Sequence, residues 1–165
     1  MKSLRPLLEL LLLLAVQVFV LNQIAFLGYL NPYPYILWVI LRPQGVKSEG
    51  LLLTAFLAGV TVDLFEGGGG IHSAAAVFIA FIRPALLRVT GFQLGDNSAE
   101  ERLSVQGSGK VLTFAFIATF IHHLSLFALE NFSLNNLDLV LFRSILGTGF
   151  SLLFVFLYQI WNYRR

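Results

Sequence analysis

Two long, predominantly apolar runs, Leu7–Leu27 and Leu139–Trp161, constrain this chain more than any other feature. Each has the roughly 20 residues that a helix needs to cross a hydrocarbon core about 30 Å thick. Between them lie further apolar stretches, so the chain is expected to be an all-α, polytopic membrane protein. Composition agrees. Of 165 residues, 57% are hydrophobic and 12% charged, against about 25% charged in a soluble domain. Residues 1–165 read as a single integral membrane domain with little room for a soluble one. Lys2–Arg5 before an apolar run suggests a signal peptide, but the run is too long for an h-region and lacks a small-residue cleavage site. It reads as a retained first span. The absence of cysteine excludes disulfides, thiolate metal sites and a cysteine nucleophile. A net charge of +2 gives no argument for nucleic acid.

Six segments can be drawn: Leu7–Leu27, a second from Gly28 or Asn31 to Leu41, then Leu51–Phe65, Ile71–Val89, Val111–Leu129 and Leu139–Trp161. The second is short. Asn31-Pro32-Tyr33-Pro34 precedes it and Arg42-Pro43 ends it, so it is either a short helix capped by Asn31 or a re-entrant one. Charge decides the count. With six spans and both termini cytoplasmic, Lys2, Arg5, Arg42, Lys47, Arg88, Arg102, Lys110, Arg164 and Arg165 share the cytoplasmic side. The outside connections Gly28–Asn31, Glu66–Gly70 and Glu130–Asp138 then carry no Lys or Arg, a strong positive-inside bias. Tyr29, Tyr33, Tyr35 and Trp38, and Tyr158, Trp161 and Tyr163, read as interfacial aromatic belts. The polar stretch from Gly91 to Gly109 reads as an exposed loop.

Ionisable groups inside spans cost roughly 2.5–3.5 kcal/mol each on insertion scales and usually face a partner or a working site. Gly59 and Asp63 share one helical face, so a neighbouring helix can approach closely at Gly59. Asp63 reads as an interfacial acid capping the glycine turn, as a buried structural pair, or as part of a ligand site. Gly67–Gly70 lacks the Lys-Ser/Thr of a phosphate loop and reads as an outside turn. His72 lies just across that turn, where it would pair with a carboxylate. The adjacent His122 and His123 point about 100° apart, so at most one joins any metal site, and none is expected. Arg83 shares a face with His72, Ala76 and Ile79 or Ala80, and Pro84 predicts a kink or early exit there. Arg83 either snorkels to headgroups or pairs with Glu9, and Arg143 would meet Asp63 by matched depth. Gly147 and Ser151 form a small-xxx-small pair. No nucleophile elbow, HExxH or Ser-His-Asp arrangement is present, and no catalytic residue, metal or cofactor is expected.

On Gly59-x-x-x-Asp63-Leu64-Phe65, on Gly70-Ile71-His72-Ser73-Ala74-Ala75 after the glycine turn, and on Phe81-Ile82-Arg83-Pro84, the chain resembles MreD. MreD is the small multi-span protein of the bacterial rod-shape and cell-elongation machinery, and the likeness extends to length and six-span layout. Four consecutive glycines depart from a more varied turn, so no ligand role is carried over to them. The resemblance implies a non-enzymatic scaffold of the cytoplasmic membrane. Its partners would be an MreC-like protein, MreB, a RodA-like glycosyltransferase, a class B penicillin-binding protein and the bilayer itself. It also implies a fold similar to the S components of vitamin transporters. A functional region at Gly59, Asp63, Gly70, His72, Arg83, Pro84 and Arg143 is expected. The competing reading is an S-component-like small-molecule binder, with Asp63, His72 and Arg143 lining one outer cavity. An intramembrane hydrolase or metal enzyme has only His72, His122 and Asp63 in its favour.

Overall fold

A computed structural model describes residues 4–23, 32–93, 103–132 and 136–163. The described residues form six α-helices: α1 (Arg5–Phe19), α2 (Tyr35–Ile40), α3 (Ser48–Glu66), α4 (Ile71–Val89), α5 (Ser108–Asn131) and α6 (Leu137–Tyr163). Five segments are long and apolar enough to cross a membrane, all but α2. Their outward faces carry bare apolar side chains, among them Leu8 and Leu12 of α1, Leu53 and Leu57 of α3, Phe81 of α4, Phe116 of α5 and Ile145 and Phe156 of α6. Water would not tolerate such a surface around the whole bundle, whereas lipid favours it. The chain is a multi-pass α-helical membrane protein.

Helix α2 spans about 9 Å at 1.5 Å per residue, yet it occupies the middle of the bundle. It packs on α1, α3, α4 and α5, and Tyr35, Ile36, Val39 and Ile40 are wholly buried. Its sequence YILWVI is apolar all round, the pattern of a helix with no solvent face. The long helices surround it through antiparallel α3–α4, α4–α5 and α5–α6 contacts.

Two contacts fix the direction of α1. Phe19 near its end lies edge-on to Phe65 near the end of α3, with ring centroids 6.0 Å apart. At its start, the Pro6 carbonyl accepts the Trp38 indole N–H at 2.8 Å. Helices α1 and α3 therefore run parallel. The stretch between them returns from the level of His72, which touches Tyr33, to the level of Arg83, which bonds the Arg42 carbonyl. Those levels are eleven α4 residues apart, about 16 Å of rise.

Several expectations change here. Tyr33 and Tyr35 are buried rather than interfacial, because α2 is interior and the Tyr35 hydroxyl finds His122. Trp38 is half-buried and bonded to α1. Pro84 neither stops α4 nor forces an exit at Arg83, since the helix continues to Val89. Neighbouring helices hold it on both sides, and a proline removes one bond of the ladder, not the segment. The Gly91–Gly109 stretch is partly tucked in. Phe92 and Leu103 are buried, Gln93 and Gln106 exchange two hydrogen bonds, and Lys110 Nζ donates to the Gly91 carbonyl. The expected Asn31 cap, the belt position Tyr29 and the outside connection Gly28–Asn31 lie outside the described residues, as do Lys2, Arg102, Arg164 and Arg165 and the side chains of Tyr158, Trp161 and Tyr163.

Candidate functional site

The polar residues gather in two places on α4, one at each end, joined by an aromatic and histidine cluster. The first is the α3–α4 turn. Helix α4 starts at Ile71, so the amides of His72 and Ser73 are among the first-turn donors that lack an intrahelical partner. Gly70 precedes it with φ +98° and has no side chain to cap them. Asp63, reaching from the last turn of α3, does so instead. Its Oδ1 accepts the His72 amide at 3.0 Å, and Oδ2 accepts the Ser73 amide at 2.9 Å and the Ser73 hydroxyl at 2.5 Å. Charge-assisted bonds contribute about 1.5–3 kcal/mol each, and an anion at a helix N-terminus is favoured. Three of them offset the insertion cost of one carboxylate, so Asp63 is held at 8% exposure.

The turn itself requires glycine. Gly67, Gly69 and Gly70 have φ of +71°, +61° and +98°, in the left-handed region, and a Cβ on Gly68 would stand 2.7 Å from Asp63 Oδ1. A Cβ on Gly59 would come within 2.6 Å of the Ser73 amide nitrogen and 2.8 Å of the His72 carbonyl carbon. Gly59 thus lets α3 lie directly against the first turn of α4, which puts Asp63 within reach of those amides.

His72 pairs with a carboxylate, but its ring chooses Glu66, with Nε2 2.8 Å from Oε2. Beyond it, the Tyr33 ring contacts the rings of His72, His122, His123 and Phe127 at centroid distances of 4.9, 6.4, 5.7 and 6.4 Å. The Tyr35 hydroxyl lies 3.3 Å from His122 Nε2. His123 Nδ1 donates to the Thr119 carbonyl at 2.8 Å, leaving Nε2 to accept from Ser151 Oγ at 3.5 Å. Gly147 makes room for that ring, because a Cβ there would sit 2.6 Å from His123 Cδ2. The Gly147/Ser151 pair therefore seats an imidazole between α5 and α6. Gly147→Ala is expected to cost about 1–3 kcal/mol by overpacking. In the His123→Ala background the same change should cost little, which a double-mutant cycle of thermal unfolding in detergent will read.

At the other end of α4, Arg83 is 2% exposed. Its Nε donates to the Ile40 carbonyl at 3.0 Å, and Nη2 donates to the carbonyls of Arg42 and, at 3.5 Å, Pro43. These carbonyls close the end of α2, where helical acceptors lack partners and a cation is favoured. The Phe114 ring lies 6.0 Å from the guanidinium carbon. Arg83 neither snorkels nor pairs with Glu9, because the end of α2 presents acceptors inside the bundle and Glu9 is held by Arg5 at 2.9 Å. Arg143 does not meet Asp63 either. It pairs with Glu130 at 3.0 Å and lies 4.2 Å over Phe127, since Asp63 is already satisfied by α4 amides.

The expected residues thus fall into distinct groups. Gly59, Asp63, Gly70 and His72 are brought together at the turn, Arg83 and Pro84 stand at the far end of α4, and Arg143 is on the α5–α6 pair. Glu66, Ser73, Tyr33 and Tyr35 belong to the same assembly and escaped the sequence reading. Tyr33-Pro34-Tyr35 in an apolar setting, opposite an adjacent His pair, was the available signal. Among the described residues, no three His, Cys, Asp or Glu side chains are grouped as metal ligands.

The cap gives a direct test. Asp63→Ala leaves two buried amides without an acceptor and is expected to lower stability by about 3 kcal/mol, while Asp63→Asn, which keeps one acceptor oxygen, costs about 1 kcal/mol. Combining Asp63→Arg with Arg143→Asp should recover nothing in thermal unfolding. Comparison with protein-family models, with curated proteins and with solved structures finds no match.

Proposed function

We propose that this chain is a non-enzymatic scaffold of the bacterial cell-elongation complex, an MreD-like protein of the cytoplasmic membrane. It would bind an MreC-like protein and help localise peptidoglycan synthesis by RodA-like and class B penicillin-binding partners alongside MreB. The observation that carries the reading is where the residues of the resemblance stand. Asp63 is committed to α4 amides and Arg83 to α2 carbonyls, with Gly59 closing α3 onto α4. The motif maintains the shape of a bundle, which suits a protein that works by presenting faces to partners.

In this reading α2 and the residues flanking it make a sixth crossing, and the bundle is S-component-like with both termini cytoplasmic. The parallel course of α1 and α3 supports an even number of crossings. Charge supports the orientation. Arg5, Arg42, Lys47, Arg88 and Lys110 stand at one end of the bundle, while Asp63, Glu66, Glu130 and Asp138 stand at the other with Arg143.

A second reading, a small-molecule-binding subunit of a transporter, draws on the buried cluster near the glycine turn. There His72 Nδ1, His122 Nδ1, Thr119 Oγ1 and Glu66 Oε1 are buried with no hydrogen-bond partner among the described residues. Affinity purification from native membranes in mild detergent separates the two. Recovery of an MreC-like single-span protein with wall synthases is the expected result, and recovery of paired ATPases with a coupling subunit would overturn the scaffold reading.

A further inference from the structure

The histidine cluster beside the glycine turn departs from the way the rest of the bundle satisfies its polar groups. Among the described residues, the buried hydroxyls of Ser73, Ser144, Thr148 and Ser151 all have partners. Ser144 and Thr148 donate at 2.7 Å to the carbonyl four residues back, Ser73 donates to Asp63, and Ser151 meets His123. Thr119 is wholly buried too, yet its Oγ1 has no partner. His122, three residues on and on the same face of α5, repeats the pattern. Its neighbour His123 bonds the carbonyl four residues back through Nδ1, whereas the Nδ1 of His122 is unpartnered. On α4, His72 Nδ1 is unpartnered at 4% exposure, and Glu66, which holds the same ring through Oε2, keeps Oε1 unpartnered. The rings of His72 and His122 both flank Tyr33 and Tyr35, with no centroid distance above 6.4 Å.

We infer that these atoms bind internal water, admitted from the side of the glycine turn and held between α2, α4 and α5. Unpaired polar atoms inside a fold are costly, and native proteins satisfy them through water where the chain does not. Water also fits this set of atoms. It both donates and accepts, so it serves either tautomer of an imidazole as well as a hydroxyl and a carboxylate oxygen. An anion would face Glu66, and no third metal-ligating side chain is grouped here for a metal ion. The supply is one-sided. Glu66 stands at the turn with its side chain 18% exposed. Toward Arg83 the cluster ends on Ile36, Ile79 and Ala118, all apolar and wholly buried or nearly so. The polar residues thus form a hydrated inlet closed at its far end, through which the imidazoles exchange protons with the aqueous phase beside the turn. This holds for a scaffold and for a transporter subunit alike.

The test is made on the full chain in lipid nanodiscs. Hydroxyl radicals generated by a short X-ray pulse mark side chains that touch bound water even when they are buried. Tyr35 and Phe114 are both wholly buried aromatic rings. Tyr35 should be oxidised at least about fivefold faster than Phe114, because only Tyr35 adjoins the water. Thr119→Val, which removes one partner of the water, should about halve that ratio. Thermal unfolding adds a sign. A hydroxyl bonded to water stabilises, so Thr119→Val should lower the folded-to-unfolded ratio about two- to tenfold, whereas a hydroxyl buried dry destabilises and its loss would raise the ratio. If the variant does not fold, the comparison of Tyr35 with Phe114 in the wild type still decides. Equal oxidation of those two rings, or a more stable Thr119→Val, would overturn the inference. So would a small molecule that co-purifies with the wild type and not with Thr119→Val, since a solute rather than water would then fill the cluster.

Discussion

Arg83→Met is expected to destabilise the bundle by about 3–5 kcal/mol, since bonds from a charged donor to buried carbonyls contribute about 1.5–3 kcal/mol each and at least two are lost. That is a large share of the 5–15 kcal/mol that folded domains possess. The methionine fills much of the volume, so the loss comes from the carbonyls of Ile40, Arg42 and Pro43, which the guanidinium now satisfies. Water cannot replace it there without opening the bundle. Arg83→Lys should recover only part of the loss, because an ammonium is a point charge and cannot span carbonyls on successive residues as a planar fork does. Two measurements check this. Unfolding in mixed micelles gives the magnitude. Because the native chain has no cysteine, a single Gln44→Cys reports on the release of α2 specifically, through faster thiol labelling in the Arg83→Met background than in the native one.

Gly59→Ala should cost about 3 kcal/mol or more, at or beyond the upper end of overpacking, because the methyl group meets backbone rather than a side chain that can rotate. Separating α3 from α4 to admit it would also pull Asp63 from the amides it caps, so two losses arrive together. Gly50→Ala in the same helix is the natural comparison. Nothing lies within 4 Å of its added Cβ, and in a helix interior alanine is favoured over glycine by up to about 1 kcal/mol. Opposite signs for the same substitution nine residues apart, read by thermal unfolding, would separate the contact from helix propensity. If Gly59→Ala proved as benign as Gly50→Ala, the close approach of the two helices would be wrong.

Helices were legible where period and length agree. The faces carrying Gly59 with Asp63, and His72 with Ala76, Ile79 and Arg83, are the buried ones. That a carboxylate would serve the glycine turn was also legible. The partners of the charges were not. Depth matching proposed Arg143 for Asp63 and Glu9 for Arg83, on the premise that a buried ion seeks an opposite ion. Both instead found the unsatisfied backbone groups at a helix end, which no residue letter announces. Tyr33 and Tyr35 misled for a related reason. Beside prolines, at the edge of a doubtful segment, they have the pattern of interfacial anchors, and only the packing of α2 inside a ring of longer helices makes them interior. The proline at position 84 signalled a kink or an early exit, and the exit does not occur, since α4 runs on to Val89.

The burial of α2 also bears on how the chain is made. At six residues α2 is too short to be recognised by hydropathy as it leaves the ribosome. Its last carbonyls are satisfied by a side chain 43 positions downstream. Trp38 can meet Pro6, and Phe19 can meet Phe65, as soon as α3 has been made. The carbonyls that close α2 must wait for α4, so the segment that lets α1 and α3 run parallel is completed from downstream.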